Sequence, residues 1–249
     1  KDENPYNDAF WKWWDSGLKN SLRHLTITGG EPLLSKQFWK VLDRVEEEKL
    51  DITVMVNTNL CPPVKLFNKF MDRVKNFNQD KLIVSTSIES TGQRAEYSRY
   101  GLNYDMFMEN FKTILDNTKM RTAVNLTNNA LSFTSMTDIV EEITKFKAKY
   151  GARRIILHSN DVTYPKYLNL RLLPESIKKQ EVAKFKKFMK SNLDQFTEIE
   201  KLKFARTLDV ALVEEPEKEM YRDQFFKFIK KYDKRKNFNF QDTFPELAR

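Results

Sequence analysis

A single cysteine, Cys61, excludes an internal disulfide framework and points to a reducing compartment, so the cytoplasm is the expected location. Two histidines, His24 and His158, are too few for a histidine-rich metal site. Glycine (6) and proline (8) are sparse in the 249 residues, and there is neither a low-complexity tract nor a repeat of solenoid type. No apolar run approaches the ~20 residues that span a bilayer, and no signal-peptide pattern opens the chain. A phosphate-binding loop, zinc-ligand spacing and a nucleophile-elbow serine are all missing. What is present, 40% hydrophobic and 31% charged residues, fits a soluble globular protein large enough to bury a real core, with no membrane among its partners.

The net charge of +8 raises nucleic acid as a partner. The excess is local, in Lys184-Phe185-Lys186-Lys187-Phe188-Met189-Lys190, in Lys227-Phe228-Ile229-Lys230-Lys231 and in Lys234-Arg235-Lys236. Phenylalanines recur among these lysines at amphipathic-helix spacing, which reads better as a solvated helix face with aromatics packed inward.

Apolar, β-prone runs recur at 24–28, 52–56, 82–88, 123–126 and 154–157. Between them lie segments of helical period. Residues 35–48 begin at a capping Ser35, and 62–76 open on prolines. Residues 104–117 follow a capping Asn103 and carry Phe107, Phe111, Ile114 and Leu115 on one face, while 136–150 end at Gly151. Strands alternating with helices at an interval of ~30 residues predict βαβ units and a parallel sheet covered on both faces. A tryptophan-rich helix over 7–23 precedes the first strand, as if an earlier strand stood before it. After Pro174 the pattern becomes helical, at 175–192, 197–213 and 217–235. The expected organisation is a β/α core over 1–172 and a helical region over 173–249.

Each strand ends in polar groups: Gly29-Gly30-Glu31, Asn57-Thr58-Asn59, Ser85, Ser87 and Glu89, Asn125 with Thr127-Asn128-Asn129, and His158-Ser159-Asn160. Alone, each is an ordinary strand terminator. Together, at the C-terminal ends of parallel strands, they mark a ligand site. The paired glycines carry the most information, because glycine weakens a strand end unless a turn or a close ligand requires it.

Gly29-Gly30-Glu31-Pro32 after an apolar strand resembles the glycine-glycine-glutamate-proline motif of radical S-adenosylmethionine (SAM) enzymes. Asn57-Thr58-Asn59 is similar to that superfamily's Thr-Asn-Gly strand end, with Leu60 where glycine is usual. Val84-Ser85-Thr86-Ser87-Ile88-Glu89 resembles its serine-containing fourth strand. Arg94-Ala95-Glu96-Tyr97-Ser98-Arg99-Tyr100-Gly101-Leu102, Tyr164-Pro165-Lys166-Tyr167-Leu168 and Leu172-Leu173-Pro174 are similar to the subgroup carrying a twitch-type iron–sulfur extension. One defining mark is missing. The family's Cys-x3-Cys-x2-Cys loop has no counterpart, and Cys61 alone cannot hold a cluster. The loop is expected upstream of Lys1, which makes the chain strands two to six of a partial (β/α)6 TIM-type barrel cut from a longer protein; a naturally cluster-less relative is the rival.

The resemblance implies an enzyme using SAM and a [4Fe-4S] cluster, fed by an external one-electron donor, to generate a 5′-deoxyadenosyl radical that abstracts hydrogen from a small-molecule or peptide substrate. It further implies that the Gly29 and Gly30 carbonyls and Glu31 accept from the methionyl ammonium, with Pro32 fixing the turn. Ser87 would donate to the SAM carboxylate or ribose, Arg94 or Arg99 would pair with that carboxylate, Thr58 and Asn59 would approach the ribose or the cluster's surroundings, and Asn125 would contact the ribose. For each arginine a plain surface position competes, and for His158 a hydrogen-bonded structural role is favoured over a catalytic one. The other class of function is a non-catalytic, cluster-less barrel that binds nucleic acid or protein through its basic C-terminal helices.

Overall fold

The computed structural model describes residues 4–248. In chain order the helices are α1 (Pro5–Trp13), α2 (Lys19–Ser21), α3 (Lys36–Glu47), α4 (Val64–Lys75), α5 (Gly92–Ser98), α6 (Tyr104–Asn117), α7 (Met136–Tyr150), α8 (Glu175–Ser191), α9 (Glu198–Leu212), α10 (Lys218–Lys236) and α11 (Phe240–Thr243). The strands are β1 (His24–Ile27), β2 (Thr53–Asn57), β3 (Leu82–Ser87), β4 (Arg121–Asn128) and β5 (Ile155–Asp161). They form one five-stranded sheet in the order β1-β2-β3-β4-β5. β1 pairs in parallel with β2 and β2 with β3, with Leu25 opposite Val54 and Val56 opposite Val84. This is the α/β architecture that alternation predicts, a parallel sheet flanked by helices.

The chain divides into two compact units. The first takes the residues up to Thr86 together with Glu109–Thr122. Its core is built where strand and helix periods meet: Val54, Val56, Leu82 and Val84 from the sheet, with Phe38, Leu42, Phe70, Val74, Phe111 and Ile114 from helices, are all 1% exposed or less. α3 begins where Ser35 Oγ accepts from the Gln37 amide at 3.2 Å, satisfying a donor that the first turn leaves open. β1 is an end strand of the sheet, and its four residues are exposed or half-exposed, whereas β2 is mostly buried. A continuous helix over 7–23 does not form. α1 gives way to a π-helical turn at Trp14–Leu18, inside which Gly17 takes φ +146°, a conformation that breaks the α-helical ladder. Trp14 and Trp11 face inward, whereas Trp13 is 61% exposed.

The second unit takes Ser87–Met108 and the residues from Ala123 onward. α7 begins and ends where the sequence predicts, with the Gly151 amide reaching the Lys147 carbonyl at 2.9 Å. β5 runs four residues further than the apolar run that announced it. Its polar end is held by side chains: Asn128 Nδ2 donates to Ser159 Oγ (2.8 Å) and to the Asn160 carbonyl (3.0 Å), and Thr207 Oγ1 donates to Asp161 (2.9 Å). Around Tyr97, a buried ring cluster forms with Tyr232, Phe238, Phe240 and Phe244, and the Tyr97 hydroxyl donates to Asp233 at 2.6 Å. No helix among the described residues is long and apolar enough to cross a membrane.

β5 ends the sheet on its other side, and its outward amide is sealed by a side chain from α9. Glu200 accepts from the Leu157 amide (2.7 Å) and from Lys147 Nζ (2.6 Å) on Oε1. On Oε2 it accepts from the Thr197 amide (2.7 Å) and hydroxyl (2.9 Å), which closes a capping box at the start of α9. Four donors fill a carboxylate's acceptor capacity. Lys147 and Glu200 are both 0% exposed, so the charge pair is wholly within the fold.

Candidate functional site

In the first unit, β1 ends at Ile27 and the chain turns sharply. Gly29 (φ +92°) and Gly30 (φ +49°) both take left-handed conformations that cost a side-chain-bearing residue about 1–2 kcal/mol. A Cβ at either would meet nothing within 4 Å, so the requirement is conformational and not steric. Both glycines are exposed, and neither carbonyl accepts a backbone or side-chain hydrogen bond within the described residues. The turn delivers Glu31 as the cap of a short 3-10 helix, Pro32–Leu34, with its carboxylate accepting from the Leu33 amide at 3.2 Å.

Glu31 also reaches the end of the neighbouring strand. Thr58 Oγ1 donates to Oε1 at 2.7 Å and the Asn59 amide donates to Oε2 at 2.9 Å. Thr58 is 2% exposed and its hydroxyl accepts in turn from the Leu60 amide at 3.1 Å. Asn59 Oδ1 accepts from the Cys61 amide at 2.8 Å, and Asn110 Nδ2 holds the Leu60 carbonyl at 2.8 Å. Thus three of the motif's residues, Glu31, Thr58 and Asn59, meet in one hydrogen-bonded clamp after β1 and β2. The clamp takes two acceptor positions on Oε1 and one on Oε2, leaving Oε2 one lone pair for a further donor. Leu60 stands at φ +55°, a left-handed position that glycine holds without strain; its side chain is 0% exposed, and that burial holds it there.

The remaining expected residues lie in the second unit. Ser87 closes β3 and is half-buried; Asn125 is half-buried on β4, and its carbonyl accepts from the Ile88 amide at 3.1 Å. Both arginines are engaged by protein groups. Arg99 meets Glu89 through Nε and Nη2, each at 2.6 Å, a planar fork on a carboxylate that is 4% exposed. Arg94 donates to Thr134 Oγ1 at 3.1 Å and to Glu246 at 2.9 Å, with its guanidinium over the Phe244 ring. The Glu89–Arg99 pair is ten residues apart across a strand end and a helix, and no helical or strand spacing rule announces it.

His158 is half-buried with Lys203 Nζ 3.3 Å from its Nδ1. Burial, and then the Lys203 charge, pull its imidazole below the ordinary histidine value. The folded chain therefore takes up this proton less readily than the unfolded one. The fold is unaffected well above the unfolded value of about 6.5 and loses stability as pH falls below it. In urea titrations across that range, His158→Gln should flatten this acid-side decline; an unchanged slope would place the titration elsewhere.

No protein-family model, curated protein or solved structure matches the chain.

Proposed function

We propose that this chain is the SAM-binding part of a radical SAM enzyme of the twitch-type subgroup, acting on a small-molecule or peptide substrate. The observation that carries the reading is the Gly29-Gly30-Glu31 turn, which sets two exposed glycines, their carbonyls unengaged among the described residues, beside a carboxylate that has one acceptor position untaken by those residues. That donor-seeking set fits the ammonium of SAM's methionyl group: an acceptor-only surface with negative charge is what a three-donor cation requires. The unreversed strand order also supports a partial barrel, since a doubly wound sheet reverses its order at a switch point.

The iron–sulfur cluster does not fit the residues of this chain. Cys61 is its one cysteine, and no group of three or more His, Cys, Asp and Glu side chains among the described residues could hold a metal ion. The cluster's ligands belong, on this reading, to sequence outside these 249 residues. In radical SAM enzymes the cofactors supply the radical chemistry, and the polypeptide binds and orients. Here Glu31 would offset the ammonium charge, the glycine carbonyls would fix its direction, and Thr58 with Asn59 would keep the carboxylate aimed.

Calorimetric titration of SAM into the chain tests the reading. Glu31→Gln keeps the shape but removes the charge; loss of a charge-assisted hydrogen bond of about 1.5–3 kcal/mol weakens SAM roughly ten- to a hundred-fold. Thr58→Val, which leaves the charge but frees it to swing, should weaken SAM by less. Absence of saturable SAM binding, or binding that Glu31→Gln leaves unchanged, would end this reading.

A further inference from the structure

The second unit carries an open apolar groove of about 440 Å³ between α8 and α9. Phe185, Phe204 and Leu208, all at 5% exposure or less, form its floor. Met189 and Leu193 form its wall, and Leu193 is 49% exposed. Along one lip stand Lys186 and Lys190, one helical turn apart, both exposed and neither in an ion pair among the described residues. Asp209 is the one acid in the lining.

Three features narrow the occupant. The lining runs from Phe185 to Leu193 at the C-terminal end of α8 and from Lys201 to Asp209 on α9, stretches of ~12 Å or about two helical turns. An apolar floor between two packed helices can receive the apolar face of an amphipathic helix, and a methionine in the wall can adjust to different side chains. The lip lysines lack counter-charges, so the complement is acidic. A second copy of this chain is the poorer occupant, because its own copy of this face, with Lys186, Lys190 and Lys201 against Asp209, is basic where an acidic complement is needed.

We propose that the α8–α9 groove docks an acidic amphipathic helix of a partner protein. A displayed library of random peptides of about 16 residues, long enough to span the groove, is selected against the intact chain. Enriched peptides should carry apolar residues at three- and four-residue spacing with Asp or Glu beside them, and their affinity, read by fluorescence anisotropy, should fall with salt. The surface variant Lys186→Glu/Lys190→Glu should weaken them at least ~10-fold, the size of losing two close charge contacts. Lys231→Glu, on α10, should leave them unchanged, and circular dichroism of each variant confirms that it is folded. Enriched peptides without acidic residues, or indifferent to Lys186→Glu/Lys190→Glu, overturn the proposal. So does self-association of the chain that Leu193→Glu abolishes, or occupation of the groove by oleate with no peptide binding.

Discussion

Glu200→Ala should destabilise the chain by about 3–5 kcal/mol, a large share of the roughly 5–15 kcal/mol that holds a typical domain together. The truncation leaves the Lys147 ammonium at 0% exposure without its counter-charge and removes the acceptor of the Leu157 and Thr197 amides. Burial already pulls Lys147 below the ordinary lysine value, with the Glu200 bond and charge opposing it. With Glu200 gone that opposition is lost, and the Phe196 ring, 5.2 Å from the ammonium, offers only a cation–π contact. Urea denaturation reads the effect as a lowered midpoint. The double variant Lys147→Met/Glu200→Leu should recover a good part of the loss, because a well-packed apolar pair needs no desolvation. A single-variant loss under about 1 kcal/mol would mean that water reaches the site and that the pair is not buried in solution.

Arg99→Ala is the second large effect, expected at about 2–4 kcal/mol. The bidentate fork is lost and Glu89, 4% exposed, keeps among the described residues only a long contact from the Thr127 amide at 3.4 Å. The figure lies below that for a wholly buried pair because the Arg99 side chain is 37% exposed and partly screened. Arg99→Lys should rescue little, since an ammonium cannot span both oxygens. A stability loss under about 0.5 kcal/mol in Arg99→Ala would remove the structural assignment.

What could be read in advance followed the strength of local chemistry. α6 and α7 start and stop where the sequence says because Asn103 caps one, with its side chain accepting from the Met106 amide at 2.8 Å, and Gly151 releases the other. The face Phe107, Phe111, Ile114 and Leu115 is buried throughout, as a 3.6-residue period demands. The polar half of β5 was hidden because its strand geometry is held by Asn128 and Thr207, from other elements, and not by its own residues. The same limit applies to the clamp. Gly29, Gly30 and Glu31 stood out by type, and Thr58 and Asn59 by position at a strand end. That Glu31 would hold both Thr58 and Asn59 is a fact of three dimensions, set by neighbouring parallel strands and invisible to spacing along the chain. Arg99 was visible as a cation but not as the partner of Glu89.

Glu200 finally makes one amide a reporter on a distant event. Its carboxylate starts α9 on one oxygen and closes the outer edge of β5 on the other, so the two cannot open separately. If the first turn of α9 frays, the Leu157 amide loses its acceptor in the same instant; if β5 peels away, the helix loses its cap. Hydrogen exchange at Leu157 should therefore follow the opening rate of α9 and not the slower one of the central strands, joining a strand residue to a helix as a single cooperative unit.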